Sequence, residues 1–225
     1  MIIPVLDIKN NTCVSGKSGN RNTYKKLESV YGNLPEEIVI NLKKDGFKCV
    51  YIADLDMIEN IGDNSKLIKK LNNILPIMLD NGIKNIEDLK KSLKNCTWSI
   101  LATETIESTD TFIKIFKNHD KKRLIISIDI KNNEVLTKNN DITLKTIIDT
   151  INQIKPEKII ILNITQVGQQ QSKIDQITQK IIDKTPYTTH ILGGGMTNKQ
   201  IQQLKEKNIK NYLIGTDLHN GNLKK

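Results

Sequence analysis

A regular alternation of short apolar runs with segments of helical periodicity is the feature that most constrains this fold. Residues 142–154, for example, carry apolar side chains at 144, 147, 148, 151 and 154, which is the 3.6-residue period of an amphipathic helix. The apolar runs are continuous rather than alternating with polar residues, so the sheet that they form is expected to be buried on both faces. Eight strands are predicted, over residues 2–6, 48–53, 76–79, 97–101, 123–128, 158–162, 190–192 and 211–214.

Helical segments are predicted between these strands, the first opening at Pro35 and ending at Gly46, and the last being short. Eight βα units in 225 residues predict the α/β class and, within it, a single-domain (β/α)8 TIM barrel over residues 1–225. A doubly wound open sheet is the alternative. No GxGxxG string follows the first strand, and no linker or shift in composition indicates a second domain.

The string Asp-Ile-Lys-Asn-Asn occurs twice, at Asp7–Asn11 and at Asp129–Asn133, each time after an apolar run. The repeat predicts two similar half-barrels, at about residues 1–120 and 121–225. Strands one and five lie opposite each other in an eight-stranded barrel, so Asp7 and Asp129 are expected to face one another across its mouth. One acid and one base on opposite sides of a small molecule could donate a proton on one side and remove a proton on the other. For a single site, an aspartate that caps a helix or forms a turn is the competing interpretation.

Glycines after the last two predicted strands indicate a phosphate site. Gly193, Gly194 and Gly195 follow strand seven, and Gly215 and Thr216 follow strand eight, the usual place for a phosphate in TIM barrels. Half-barrel symmetry asks for a second site after strands three and four, where Gly82 and Thr103 are the candidates. Asp80 places a negative charge there, so this second site is predicted to be degraded.

Three further polar residues lie near the predicted mouth. Lys17, in the polar segment between residues 12 and 32, and Asn163, at the end of strand six, are predicted to contact the substrate. Glu104 follows strand four, and a solvated loop glutamate is the favoured interpretation of it.

The bulk composition excludes several classes of function. The net charge of +9 could indicate an anionic partner, but the lysines are spread along the chain without a basic block, so no nucleic-acid partner is predicted. The three cysteines and three histidines lack the spacing of a metal site or a disulfide framework, so no metal is expected. No apolar run is long enough to span a bilayer and no signal peptide is recognised, which predicts a cytoplasmic protein with no membrane partner.

With these features assembled, the chain resembles the histidine-biosynthesis barrels: the isomerase of phosphoribosylformimino-5-aminoimidazole carboxamide ribotide (ProFAR), and the related cyclase subunit of imidazole glycerol phosphate synthase. The resemblance covers the whole chain and is closest at four segments: IIPVLDIKNN, YIADLDMIENIGDN, ISIDIKNNEV and ILGGGMTN. The isomerase fits better. The resemblance implies that Asp7 is the general base and Asp129 the general acid of an Amadori rearrangement, without a metal or redox cofactor.

Two segments depart from the family pattern. The first-half phosphate motif, glycine-rich in the family, reads Leu79-Asp80-Asn81-Gly82-Ile83, and the loop after strand six has Val167 in place of an aspartate. These departures predict a divergent, archaeal relative of the isomerase. Its substrate is expected to be a phosphorylated small molecule, either ProFAR itself or a singly phosphorylated metabolite on which it acts as an isomerase or lyase outside histidine biosynthesis. A monomer or homodimer is expected.

Overall fold

The computed structural model describes residues 1–16, 19–168, 174–206 and 209–223. Eight parallel strands form a closed barrel, because the last strand pairs with the first through Ile2–Tyr212, Ile3–Leu213 and Pro4–Ile214. In barrel order the strands are β1 (Ile2–Lys9), β4 (Val50–Asp54), β5 (Ile77–Asp80), β6 (Trp98–Ala102), β7 (Leu124–Lys131), β9 (Lys158–Asn163), β10 (Thr189–Gly193) and β11 (Asn211–Ile214). The predicted (β/α)8 barrel is confirmed, and the open sheet is excluded.

Helices cover the outside of the barrel. They are α1 (Pro35–Lys44), α2 (Leu55–Glu59), α3 (Ser65–Ile74), α4 (Ile86–Ser92), α5 (Thr109–Asn118), α6 (Leu144–Ile154), α7 (Gln176–Lys184), α8 (Asn198–Glu206) and α9 (Thr216–His219). Their apolar stripes pack on the strands: α6, for instance, buries Ile147, Ile151 and Ile154. Along the described part of the chain, no helix combines the length and the apolar character needed to cross a membrane.

The barrel interior has its own apolar core, distinct from the layer between strands and helices. Because side chains alternate between the two faces of a strand, each strand sends every second residue inward. One buried inward residue comes from each of the eight strands: Ile3, Tyr51, Met78, Ile100, Ile125, Ile160, Ile191 and Leu213. This layer forms the floor on which the residues at the carboxyl ends of the strands stand.

Both copies of the repeated string form the same β-hairpin. In each copy the strand runs two residues past the aspartate, turns on two asparagines, and pairs antiparallel with a short strand, β2 (Thr12–Ser15) or β8 (Glu134–Val135). The turn asparagines have positive φ: 50° and 56° at Asn10 and Asn11, 51° and 64° at Asn132 and Asn133. This left-handed conformation at both central positions is the tight turn that matches the twist of a hairpin. The repeated string therefore forms the same local structure twice, and the division into two half-barrels stays a prediction.

The polar segment between residues 12 and 32 is more ordered than a plain loop. After β2 it contains a 3-10 turn at Arg21–Thr23 and a short strand, β3 (Lys25–Lys26), which pairs with β2. A Cβ atom at Gly19 would lie 2.6 Å from the Cγ2 of Ile164, so this segment passes directly over the end of β9. It therefore covers part of the barrel mouth.

Candidate active site

A cleft that is open to solvent occupies the mouth of the barrel at the carboxyl ends of the strands. Six of the predicted site residues line it: Asp7, Asp129, Gly194, Gly195, Gly215 and Thr216. Gly193, Gly82, Thr103 and Asn163 do not line it, and Lys17 lies outside the described residues. The cleft thus joins the two aspartates and the second-half glycines, but not the first-half pair Gly82 and Thr103.

Asp7 reaches the cleft from inside β1, two residues before the strand ends. The inward alternation that buries Ile3 places Val5 and then Asp7 at the cleft wall. Burial away from water raises the pKa of Asp7 to about 7, which Arg21 opposes and the negative charge of Asp80 reinforces. Asp7 therefore exchanges its proton near neutral pH.

Asp129 occupies the equivalent position in β7 and is 2% exposed. Burial, with the negative charges of Asp80 and Glu104, raises its pKa to about 8; hydrogen bonds from Ser127 and from the backbone N–H of Glu104 work the other way. The hydroxyl of Ser127 donates to Oδ1 of Asp129 at 2.8 Å. Ser127 thereby fixes the direction of the carboxyl group, and Asp129 holds a proton at neutral pH.

The two aspartates come from opposite sides of the barrel, since β1 and β7 are its first and fifth strands. Both line one cleft, and both have pKa values near the pH of most enzyme reactions. A group of this kind can act as either proton donor or acceptor. The pair can therefore exchange protons with opposite sides of a bound molecule.

Local packing explains why glycines follow β10. Gly194 has φ 107°, and a Cβ atom there would lie 2.3 Å from the carbonyl oxygen of Asn163. Gly195 has φ 60°, and its Cβ atom would lie 2.4 Å from the carbonyl oxygen of Gln166. Both glycines are therefore required by the close approach of the preceding loop, whatever they bind. Their backbone remains at the cleft wall, open to a ligand.

Gly215 is different, because none of the described residues crowds it. Among them, a Cβ atom at Gly215 would meet only the Cβ of Val5, at 3.8 Å. Gly215 lies at the cleft wall immediately before Thr216, the first residue of α9. The missing side chain leaves space for a ligand beside the Thr216 hydroxyl, as expected of a phosphate site.

The first-half candidates have other roles. The N–H of Gly82 donates to Oδ1 of Asp80 at 3.3 Å, and a Cβ atom at Gly82 would lie 3.0 Å from the Cα of Ile58. Thr103 is fully buried, and its hydroxyl oxygen accepts the backbone N–H of Asp129 at 3.1 Å. In the structure they contact Asp80 and Asp129, and a contact of either with a phosphate stays a prediction.

The side chain of Asn163 also forms a hydrogen bond within the protein. Its side-chain amide donates to Oδ2 of Asp175, the residue before α7, at 2.8 Å. The first half has the same contact with the residue types exchanged, because Asn64, the residue before α3, donates to Oδ1 of Asp54 at 2.6 Å. Asn163 therefore joins the end of a strand to the start of the next helix, and its contact with a substrate stays a prediction.

Asp80 lines the cleft at the end of β5, where the first-half phosphate would have been expected. It is 7% exposed, and Oδ2 accepts the hydroxyl of Tyr51 at 3.2 Å. Burial raises its pKa to about 6, helped by the charge of Glu104, while Gly82, Arg21 and Tyr51 act in the opposite direction. A carboxylate thus stands where the symmetry predicts an anion.

Glu104 is not the solvated loop residue that was expected. Its carboxylate forms a two-pronged ion pair with Arg21, at 3.1 and 2.9 Å, and its side chain is 18% exposed. The pair spans the mouth from the segment after β2 to the end of β6. The ion pair, and with it the low exposure of Glu104, could not be predicted from the sequence, because Arg21 and Glu104 are 83 residues apart.

Tyr24 and Tyr51 also line the cleft and were missed as site residues. Tyr51 is inside β4, at an inward position that the strand alternation could have indicated. Across the described residues, no three His, Cys, Asp or Glu side chains are arranged to hold a metal ion.

Comparison with known proteins finds relatives of this chain among histidine-biosynthesis proteins. The family model described as "Histidine biosynthesis protein" matches residues 1–224. An uncharacterized protein of Methanocaldococcus jannaschii is 35% identical over 98% of this chain and 93% of its own. Two relatives are named as isomerases of 1-(5-phosphoribosyl)-5-((5-phosphoribosylamino)methylideneamino) imidazole-4-carboxamide, which is ProFAR. The one from M. jannaschii is 28% identical over 98% of this chain and 94% of its own, and the one from Clostridioides difficile 26% over 97% and 92%.

Proposed function

This chain belongs to the histidine biosynthesis protein family, and from that premise we propose that it is an aldose–ketose isomerase acting on a phosphorylated amino sugar. The observation that carries the proposal is the pair of carboxyl groups of Asp7, which is partly buried, and Asp129, which is buried, on opposite strands of one cleft. Relatives at 26% and 28% identity are named as isomerases of this kind.

Each aspartate has a distinct role in the proposed reaction. Asp129, protonated at neutral pH, donates a proton to the ring oxygen of the aminoaldose as the bond between that oxygen and C1 breaks. Asp7, whose pKa is lower, removes the proton from C2; the resulting enolamine then gains a proton at C1 as its C2 hydroxyl loses one, which gives the aminoketose. Only protons move, so these steps call on no redox group.

The phosphate of the substrate is proposed to bind beside β10 and β11. There the backbone of Gly194 and Gly195, the open space at Gly215 and the hydroxyl of Thr216 face the cleft. A phosphate held at this side of the barrel would place the sugar between β1 and β7.

A singly phosphorylated substrate is the second candidate, and Asp80 favours it over ProFAR. ProFAR carries two phosphoribosyl groups, whereas the first-half end of this cleft presents Asp80 and Glu104. Val167, which lines the cleft in place of the family's aspartate, also points to a changed substrate.

Replacing either aspartate tests the reaction. Asp7→Asn and Asp129→Asn keep the size of the side chain but cannot exchange the proton, and positioned acid/base groups contribute about 100- to 10,000-fold. Turnover of ProFAR, or of the substrate found by screening phosphorylated amino sugars, should fall by that factor in each variant. Asp149→Asn, on the exposed face of α6, serves as the matched control. Near-normal turnover in both site variants would refute the assigned roles.

Complementation separates the two substrates. If ProFAR is the substrate, the gene restores growth without histidine to a strain that lacks ProFAR isomerase. Absence of rescue by a well-expressed, folded protein would leave the singly phosphorylated substrate as the candidate.

A further inference from the structure

One edge of β1 changes its partner strand immediately before Asp7. The ladder that closes the barrel with β11 ends at Pro4, and the hairpin ladder with β2 begins at Asp7. Val5 lies between the two ladders, so its backbone carbonyl needs a hydrogen-bond donor from another part of the chain. A side chain provides this donor, because Nε2 of His219 lies 2.9 Å from the carbonyl oxygen of Val5.

The hydrogen bonds of His219 assign its tautomer. A carbonyl oxygen only accepts hydrogen bonds, so Nε2 carries the proton and donates it to Val5. Nδ1 of the neutral ring then accepts the hydroxyl of Ser29 at 2.8 Å, and the oxygen of Ser29 accepts the backbone N–H of Tyr31 at 3.1 Å. His219 is 2% exposed, and this burial lowers its pKa, which favours the neutral ring.

His219 also connects the segments around it through its backbone. It is the last residue of α9, the short helix that begins at Thr216, and its N–H donates to the carbonyl oxygen of Gly215 at 3.0 Å. Its own carbonyl oxygen accepts the N–H of Val30, in the loop after β3, at 2.9 Å. The imidazole ring therefore joins Val5 of β1 to the segment that contains Gly215 and Thr216.

A side cavity beside the main cleft contains both ends of this connection. Asp7, Thr216 and His219 all line the side cavity, and Asp7 and Thr216 line the main cleft as well. Val5 precedes Asp7 by two residues on the same face of β1. The bond from His219 to Val5 therefore controls how Asp7 lies relative to Thr216.

We infer that His219 is a positioning residue, whose Nε2–H bond to Val5 fixes Asp7 relative to the phosphate site at Gly215 and Thr216. The inference rests on the proposed function, because it concerns the placement of the proposed base against a bound substrate. His219 lines the side cavity and not the cleft that contains both aspartates, so it acts through Val5 and not on the substrate itself. The competing interpretation is a histidine that only stabilises the fold.

Two replacements separate the two bonds of the ring. The side-chain amide of glutamine reaches the position of Nε2, so His219→Gln keeps a donor for Val5 and loses the acceptor for Ser29. The side chain of asparagine reaches only the position of Nδ1, so His219→Asn keeps an acceptor for Ser29 and loses the donor for Val5. His119→Gln is the matched control, because His119 follows the end of α5 and lines neither cavity.

Turnover of a phosphorylated amino sugar tests the inference, with rates expressed per folded protein as judged by circular dichroism. His219→Asn should lower kcat about 10- to 100-fold, because a displacement of about 1 Å has effects of this size, and should change KM less than about threefold. His219→Gln and His119→Gln should keep kcat within about threefold of the wild type. Equal loss in the Asn and Gln variants of His219, or a loss confined to KM or to the folded fraction, would overturn the inference.

The titration of Asp7 provides a test that requires no substrate. Carbon-13 NMR of labelled aspartate carboxyl groups follows it, with Asp7→Asn for the assignment and Asp129, on the opposite strand, as the internal control. In His219→Asn, the pKa of Asp7 should fall from about 7 toward its ordinary value, by at least about half a pH unit, because β1 is held less firmly and water reaches the carboxyl group. His219→Gln should leave this pKa unchanged. An unchanged pKa of Asp7 in folded His219→Asn would contradict the inference.

A measurement on the wild-type protein decides the matter if His219→Asn does not fold. Nitrogen-15 NMR of the histidine rings distinguishes the two tautomers, and the signal lost in His219→Gln assigns His219. The ring should be neutral at pH 7 and protonated at Nε2. A charged ring, or a ring protonated at Nδ1, would refute the bond to Val5 on which the inference depends.

Failure of this inference and failure of the proposed function give different results. If the wild-type protein isomerises no phosphorylated amino sugar, the proposed function fails, and the NMR titration still decides whether His219 positions Asp7. If the wild type isomerises such a sugar and folded His219→Asn is equally active, only the inference about His219 fails.

Discussion

At the scale of single residues, burial gives the two aspartates their chemistry. A carboxyl group in water has a pKa near 4, and removal from water disfavours the charged form. Asp7 and Asp129 are raised to about 7 and 8 chiefly by this effect, with Asp80 adding to both. As a consequence, the fold is less stable at high pH. There the two carboxyl groups are ionised, and an ionised carboxylate is less favourable in the folded protein than in the hydrated, unfolded chain.

That cost leads to a stability prediction for Asp129→Asn. The folded pKa of Asp129 lies above its unfolded value, so wild-type stability is full below about pH 4 and falls as pH rises to about 8. Asparagine carries no charge to bury. The variant should therefore melt at a higher temperature than the wild type at pH 9, by about 2 °C or more, with the difference vanishing near pH 4.

Thermal melts of wild type, Asp129→Asn and the exposed control Asp149→Asn from pH 4 to 9 measure this difference. An advantage that is constant over the whole range, or one that shrinks as pH rises, would be inconsistent with burial of a titrating carboxyl group at residue 129.

At the scale of elements, the repeated hairpin positions each aspartate. The turn fixes the register, Lys9 with Thr12 and Lys131 with Glu134, so that the aspartate two residues earlier faces into the barrel. The first turn is anchored to α2, directly after β4, where Asp56 accepts the N–H of Asn10 at 2.7 Å. The second is anchored to the loop after β9, where Thr165 accepts the N–H of Asn132 at 2.9 Å. The same hairpin, with the same register and an anchored turn, thus positions both aspartates.

The second turn offers a test of this design. Asn133 is exposed and has φ 64°, a conformation that asparagine and glycine adopt readily and β-branched residues do not. Asn133→Val should reduce the free energy of unfolding by about 1 to 2 kcal/mol. Asn133→Gly, the matched control, should reduce it little or increase it, since Asn-Gly is the preferred sequence of such turns. Urea unfolding of both variants checks the prediction, and equal stability of the two would argue against the left-handed turn.

At the scale of the whole molecule, the half-barrels are alike in fold and unlike in charge. The hairpins and the strand-to-helix ties of Asp54 with Asn64 and Asn163 with Asp175 follow the pseudo-twofold symmetry. The strand ends at the cleft do not: glycines follow β10 and β11, while Asp80 and Ala102 end β5 and β6. The two halves are therefore alike in the hairpins and in the contacts that join strands to helices, and they differ in the strand ends that line the cleft.

Crystals grown in sulfate would reveal this asymmetry directly. Sulfate is expected beside Gly194, Gly195 and Thr216, and not near Gly82, where Asp80 repels it. Two anions related by the pseudo-twofold axis would contradict both the asymmetry and the singly phosphorylated substrate.

The sequence by itself determined the barrel, the repeat and the two aspartates, because buried strands and periodic helices are local patterns that survive without knowledge of contacts. It also located the second-half glycines at the cleft. It missed α2, the hairpin strands β2, β3 and β8, and the pairing of Arg21 with Glu104. The hydrogen bonds of Thr103, Gly82 and Asn163 within the protein could not be predicted, because a strand end does not say whether a polar group faces the cleft or a neighbouring loop.

Only the tertiary structure decided which groups at the strand ends face the cleft and which face a neighbouring loop. Gly194 and Gly195 are glycines because carbonyl oxygens of the preceding loop pass within 2.3 and 2.4 Å of where a Cβ atom would lie. Asp80 gains its significance from Glu104 and Asp129, which are distant in sequence and adjacent only in the closed barrel. Charge interactions and steric contacts act over a few ångströms. The residues that set the charge and the free space at each end of the cleft therefore become neighbours only when the first and last strands pair and the barrel closes.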